Sequence, residues 1–140
     1  MKIKLNEEIK EFCNILKLKG IHDHFEETIE ESKDYEEFLH KLLLLEIDEK
    51  DKRGVECRIR NAKFPYKKYL EDIDVRYLPE GMQKKLPELG DLAFIKKGQN
   101  VILVGNPGTG KTHVSIGLGI KACMKGYKVL FTTIPLLITK

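Results

Sequence analysis

Gly105-Asn106-Pro107-Gly108-Thr109-Gly110-Lys111-Thr112 matches the pattern G-x-x-x-x-G-K-[ST] in full. The residue types suit an anion cradle. Gly105 bends the chain sharply, and Gly108 and Gly110 let backbone N–H groups turn inward with no Cβ in the way. A helix that starts near Lys111 adds the positive end of its dipole. Lys111 is expected to reach the β- and γ-phosphates of a nucleotide, and the Thr112 hydroxyl to bind Mg²⁺. Asn106, Pro107 and Thr109 complete the loop. Cofactor binding is therefore expected at Gly105, Asn106, Pro107, Gly108, Thr109, Gly110, Lys111 and Thr112. ATP with Mg²⁺ is the expected ligand, because no guanine-reading N-K-x-D tetrapeptide occurs.

The flanks give the motif its context. Val101–Val104 (VILV) is a short β-branched run that suits a strand buried on both faces. A helix is predicted from about Lys111 to Lys125, with Gly126 ending it, and Lys128–Thr133 (KVLFTT) reads as a second strand. Strand, loop, helix and strand make one βαβ unit, whose strands are expected to be parallel with a right-handed crossover. A glycine-rich turn that binds nothing is the competing reading, and this context argues against it.

Hydrolysis needs more than a cradle. A second acidic residue, at the end of another strand, normally holds the Mg²⁺. No acid follows Asp91. Leu42–Asp51 (LLLLEIDEKD) imitates an apolar strand ending in acids, but it precedes the loop. Phe38, Leu39, Leu42, Leu43 and Ile47 also fall on one helical stripe, so this segment is read as helix. Two strands are too few for a stable covered sheet. The expectation is an N-terminal piece of a larger ATP-binding protein, with no catalytic residue assigned.

Upstream, the chain reads as helices. Asn6 is a candidate cap for a first helix whose apolar face carries Ile9, Phe12, Cys13 and Leu16, with Gly20 as its stop. Ile21, Phe25 and Ile29 mark a second helix. Asp34 with Glu37 predicts a capping box opening a long third helix, weakly interrupted at Gly54. Pro79, Gly81, Pro87, Gly90 and Gly98 divide residues 64–99 into turns and short helices, and Leu89, Leu92 and Ile95 suggest one helical face ended by Gly98. The segment after Thr133 opens as another helix. Three regions result: a helical module at 1–63, a linker with lead-in helices at 64–99, and an incomplete P-loop domain at 100–140.

Charge divides the chain similarly. Residues 1–60 carry 12 Lys and Arg against 16 Asp and Glu, and residues 61–140 carry 13 against 6. The basic half suits an anionic partner. Arg58, Arg60, Lys63, Lys67 and Lys68 interleave with Phe64, Tyr66 and Tyr69. This strip is a candidate for gripping a DNA backbone without reading sequence, and Lys50, Lys52 and Arg53 extend it. A solvated helix end followed by core aromatics is the alternative. The three cysteines, Cys13, Cys57 and Cys123, form no C-x-x-C pair, so neither a disulfide framework nor a zinc site is indicated. His22 and His24 point apart on a helix and do not make a metal pair. His113 reads as a capping or packing residue behind the loop. No apolar run reaches the length of a membrane span, and the N-terminus lacks the uninterrupted apolar core of a secretory signal, so a cytoplasmic location is expected.

Asn100–Thr133 resembles the IstB-type ATP-binding helper proteins of insertion-sequence transposition, relatives of the DnaC helicase loaders within the AAA+ class. The likeness extends through LKLKGIHDHFEETIEE, YEEFLHKLLLLEIDEKDKR, RIRNAKFPYKKYLEDID and LAFIKKGQN, in that order, and so covers nearly the whole chain. Gly110–His113 (GKTH), with Gly126-Tyr127 before the second strand, is its most specific part. The resemblance implies ATP and Mg²⁺ binding, DNA binding, a transposase partner and homo-oligomerisation on DNA. It also implies that Leu70–Val75 lies near adenine. The family's Mg²⁺ acid, sensors and arginine finger have no counterpart in these residues, which puts turnover in doubt.

The expected fold class is α/β: a helical N-terminal module followed by the first βαβ unit of a P-loop, AAA+-type parallel sheet, truncated. The expected function is an ATP-binding helper of transposition. A DnaC-like helicase loader fragment and a non-catalytic DNA- or partner-binding module with a vestigial loop stand as alternatives.

Overall fold

The computed structural model describes residues 2–139. The helices in chain order are α1 (Lys2–Leu16), α2 (Lys19–Glu31), α3 (Tyr35–Asn61), α4 (Glu80–Gly90), α5 (Ala93–Lys96), α6 (Lys111–Met124) and α7 (Ile134–Ile138). Two single 3₁₀ turns, Leu70–Asp72 and Val75–Tyr77, lie between α3 and α4. The chain divides into two compact units, residues 1–54 and 55–140.

In the first unit, α1 and α2 pack together over Cys13, Phe25 and Thr28. Helix α1 begins before Asn6, so Asn6 is not its cap. Gly20 is not a stop either, because it sits in the first turn of α2. A Cβ there would lie 2.7 Å from the Leu45 carbonyl oxygen and 2.9 Å from the Glu46 Cα, so only glycine lets these backbones approach so closely. That approach brings the buried Glu46 carboxylate to the start of α2, where its Oε2 accepts from the Ile21 N–H at 3.2 Å. A carboxylate suits a helix N-terminus, where backbone donors have no partner and the dipole is positive. Arg53 Nη2 stands 3.6 Å from the other Glu46 oxygen.

The predicted capping box is present in a shifted form, its return bond reaching the residue before the Asp34 cap. Asp34 Oδ1 accepts from the Glu37 N–H, and Glu37 Oε2 accepts from the Lys33 N–H, both at 2.8 Å. Leu42–Asp51 is helical, as its period required. Its stripe is turned differently from the expectation. Leu42 and Glu46 are buried, while Leu39, Leu43 and Ile47 are exposed, because the contact at Gly20 draws Leu45 and Glu46 inward. Gly54 does not interrupt α3, which continues into the second unit as far as Asn61.

The second unit is built around α6. Val114, Ile116, Gly117, Leu118, Ile120, Ala122 and Cys123 are buried along it. Leu78, Leu86 and Leu92 complete the core, with Leu103, Tyr127 and Val129 packed against it. The end of α3 belongs here: Arg58 bonds the Cys123 carbonyl, and the Ala62 carbonyl accepts from the Phe131 N–H at 2.8 Å. The expected face of Leu89, Leu92 and Ile95 is broken, since Leu92 takes a left-handed φ of 60° between α4 and α5. Gly98, with φ 64°, ends that region as expected.

The expected βαβ unit is not formed as a sheet. Among the described residues no strand is assigned, and Val101–Val104 and Lys128–Thr133 run as unpaired segments on either side of α6. Their burial still alternates with a period of two. Leu103, Val129 and Phe131 are half-buried, while Ile102, Val104 and Leu130 are exposed. The physical reason is the lack of a backbone partner. A groove of about 350 Å³ is lined by Val101 and Leu103 of the first segment and by Phe131 of the second, and among the described residues no backbone hydrogen bond joins the two. Strands must lie about 4.7–4.9 Å apart to bond. The inward residues pack on α6, and the Phe131 N–H goes to the Ala62 carbonyl and not to the other segment.

Candidate nucleotide-binding site

The loop from Gly105 to Gly110 joins the first unpaired segment to α6. Gly108 and Gly110 have φ of 82° and 83°, the left-handed region that a side chain disfavours. These are the two glycines expected to turn N–H groups inward. Gly110 is also the residue before α6, and no side chain caps the helix there. The first-turn N–H groups of α6 therefore face out of the helix with the positive end of its dipole. Thr112, in that turn, is exposed.

Lys111 folds back over the loop. Its Nζ donates to the carbonyls of Asn106 at 2.6 Å and Gly105 at 2.8 Å, and lies 3.2 Å from Thr109 Oγ1. Thr109 Oγ1 donates to the Asn106 carbonyl at 2.8 Å. The ammonium thus closes the loop into a ring around itself. This ring holds the charge beside the uncapped helix start. An anionic ligand with several oxygens would meet Lys111, the glycine N–H groups and the helix terminus together. The residues present fit a nucleoside triphosphate, and the exposed Thr112 is the hydroxyl residue that would serve its metal. Beside the loop opens a groove of about 920 Å³, bordered by Gly105, Thr109 and Lys111 on one side and by Met82, Leu89 and Phe94 on the other.

The linker runs back along α6. Leu70 lies against Gly117, and Leu78 lies against Gly110. His113 Nε2 is 2.8 Å from the Tyr69 carbonyl oxygen. The packing role expected for His113 is thereby given a named partner. The turn Leu70–Asp72 packs on the helix that leaves the loop.

The basic strip is not uniform. Arg60, Lys63, Lys67 and Lys68 are exposed. Arg58 is half-buried, and its Nε donates to the Cys123 carbonyl at 2.7 Å, at the C-terminal end of α6. A cation there complements the negative end of the helix dipole. Nothing in the sequence pattern singled Arg58 out, because its partner is 65 residues away. Of the three cysteines, Cys13 and Cys123 are buried and Cys57 is exposed. Burial pushes both buried thiols above their ordinary pKa, although Arg58 pulls Cys123 the other way. No group of three or more metal-ligating side chains occurs among the described residues.

The family model for "IstB-like ATP binding protein" matches residues 13–140. The chain belongs to this family. Its relatives are encoded in insertion sequences. It is 38% identical over 135 residues to the "Insertion sequence IS21 putative ATP-binding protein" of Pseudomonas aeruginosa, covering 94% of this chain and 51% of that protein. It is 35% identical over 133 residues to the corresponding protein of IS5376 from Geobacillus stearothermophilus, covering 92% and 53%. An IS21-like protein of Bacteroides fragilis (strain YCH46) is 31% identical over 135 residues, covering 94% and 68%. The chain spans about half the length of the first two of these relatives. Among the described residues, no helix is long and apolar enough to cross a membrane.

Proposed function

We propose that the chain binds ATP with Mg²⁺ at Gly105–Thr112 and serves an IS21-type insertion sequence as a nucleotide-dependent helper of its transposase on DNA. The observation that carries this reading is the loop itself. Two left-handed glycines and an uncapped helix surround one lysine ammonium held by backbone carbonyls. Lys111 would hold the β- and γ-phosphates, and Thr112 would reach Mg²⁺. Bound Mg²⁺ would supply charge neutralisation between the phosphates. The family and the insertion-sequence relatives support this assignment. Binding, and not turnover, is the activity assigned to these residues.

In the same reading the two unpaired segments occupy strand positions of an AAA+-type sheet. Their alternating burial fits such strands. The exposed Arg60, Lys63, Lys67 and Lys68, with Arg58, form the DNA-facing strip, and each phosphate contact would contribute salt-dependent affinity.

The test is titration of the chain with a fluorescent ATP analogue and Mg²⁺. Lys111→Ala is expected to weaken binding by at least about tenfold, a loss of about 1.4 kcal/mol. Equal affinity in wild type and variant would overturn the nucleotide reading. For DNA, Lys67→Ala with Lys68→Ala is expected to lower the slope of log affinity against log salt by about two. An unchanged slope would remove these residues from the DNA strip.

A further inference from the structure

The linker touches α6 at successive points. A Cβ on Gly119 would come within 2.7 Å of the Phe64 ring. A Cβ on Gly117 would lie 2.8 Å from Leu70 Cδ2 and 3.0 Å from the Leu70 nitrogen. These are shape contacts, without hydrogen-bond direction. His113 supplies the directional one. Its Nε2 stands 2.8 Å from the Tyr69 carbonyl oxygen, and a carbonyl has no proton to give, so the imidazole N–H donates. His113 and Gly117 are four residues apart and share one face of α6. One side chain therefore adds a directional bond where the linker backbone presses on the helix.

The position of His113 in the chain gives this bond a further consequence. It follows Thr112 and stands two residues after Lys111, in the first turn of α6. The Lys111 ammonium is bound to the Gly105 and Asn106 carbonyls. An anion that draws the ammonium away acts on the same helical turn that carries His113. Downstream of the bond lie Tyr69 and, just before it, the exposed Lys67 and Lys68.

We infer that His113 is a positioning residue that couples occupancy of the phosphate loop to the placement of the linker around Tyr69. This rests on nucleotide binding at Gly105–Thr112. The nucleotide fixes the first turn of α6, His113 carries that order to the Tyr69 carbonyl, and the linker with its two lysines becomes ordered with the site.

The test is hydrogen exchange by mass spectrometry on the full chain, with and without ATP and Mg²⁺, following peptides that cover residues 64–78. In wild type, ATP is expected to slow linker exchange by at least about threefold. His113→Leu keeps the volume and removes the donor. It is expected to bind the fluorescent ATP analogue within about threefold of wild type while losing the linker protection. His113→Gln restores an N–H donor and is expected to restore that protection. Linker protection in His113→Leu equal to wild type would overturn the proposal, as would a His113→Gln protein that behaves like His113→Leu. If His113→Leu does not fold, His113→Ala takes its place with the same expected and overturning results. If wild type shows no ATP binding at all, the nucleotide reading fails separately. The ligand-free comparison then decides the strap: faster linker exchange in His113→Leu than in His113→Gln supports it, and equal exchange ends it.

Discussion

Arg58 Nε donates to the Cys123 carbonyl at 2.7 Å, so the last part of α3 closes the C-terminal end of the helix that leaves the phosphate loop. The bond adds a charged donor to a carbonyl that also accepts from the Gly126 N–H at 3.1 Å, and places a cation at the helix's negative end. A hydrogen bond to a charged group contributes about 1.5–3 kcal/mol. Arg58→Ala is expected to cost stability of that order, measured by urea unfolding followed by circular dichroism. Arg58→Lys should recover part of it, since it keeps the charge and loses the geometry. If Arg58→Ala leaves the midpoint unmoved, the bond does not hold the second unit together.

The glycines of this chain should respond oppositely to alanine. At Gly117 a new Cβ would meet the Leu70 side chain at 2.8 Å and the Leu70 backbone nitrogen at 3.0 Å, and backbone cannot swing aside. The overpacking cost is about 1–3 kcal/mol, which exceeds the gain in helix propensity of about 1 kcal/mol. At Gly81, inside α4, a Cβ meets nothing within 4 Å. Gly81→Ala is expected to raise stability by about 0.5–1 kcal/mol. Thermal unfolding of the two variants should move in opposite directions, and a stabilised Gly117→Ala would refute the close linker contact.

Acid should weaken the start of α3. The Lys33 N–H and then the Lys41 ammonium hold the Glu37 carboxyl below its ordinary pKa. A carboxylate depressed in the folded state contributes stability that is complete above its unfolded pKa and is lost as pH falls through the folded value. Glu37→Gln should therefore destabilise the chain at neutral pH and make little difference at the acid end. The check is the unfolding midpoint of both proteins across a pH series from about 7 downward through the carboxylate range. A pH-independent gap between them would show that the charge of Glu37 is not what the Lys33 N–H and Lys41 stabilise.

Thiol reactivity should separate the three cysteines. Cys57 is exposed on α3, whereas Cys13 and Cys123 are buried with thiols pushed up by desolvation. Only the thiolate reacts, so burial slows modification twice over, by access and by ionisation. In the native chain a disulfide reagent should titrate one thiol rapidly, and peptide mapping should place it at Cys57. Rapid reaction at Cys123 would show that the Arg58 end of α6 opens readily.

The local features were legible in the sequence because each rests on neighbours a few residues apart. The phosphate loop, its two left-handed glycines, the helix that follows it, the capping box at Asp34 and Glu37, and the helical nature of Leu42–Asp51 are of this kind. The misread features depend on distant partners. Gly20 passed for a helix stop because the Leu45 backbone that requires its missing Cβ is 25 residues away. The bond from Arg58 to the Cys123 carbonyl was not legible because its partner is farther still. The stripe along α3 was turned because one buried carboxylate is drawn inward to the start of α2.

By itself the sequence determined the local shape of the candidate phosphate cradle, since glycine φ freedom, a lysine and a helix start are written in eight consecutive positions. Tertiary structure alone decided how that cradle is held. It folded Lys111 onto the Gly105 and Asn106 carbonyls, tied His113 to Tyr69, and left Val101–Val104 and Lys128–Thr133 with no backbone hydrogen bond between them. The reason is that a strand's pattern is local but its hydrogen bonds are not: alternation aims the side chains, and only a neighbouring backbone makes a sheet.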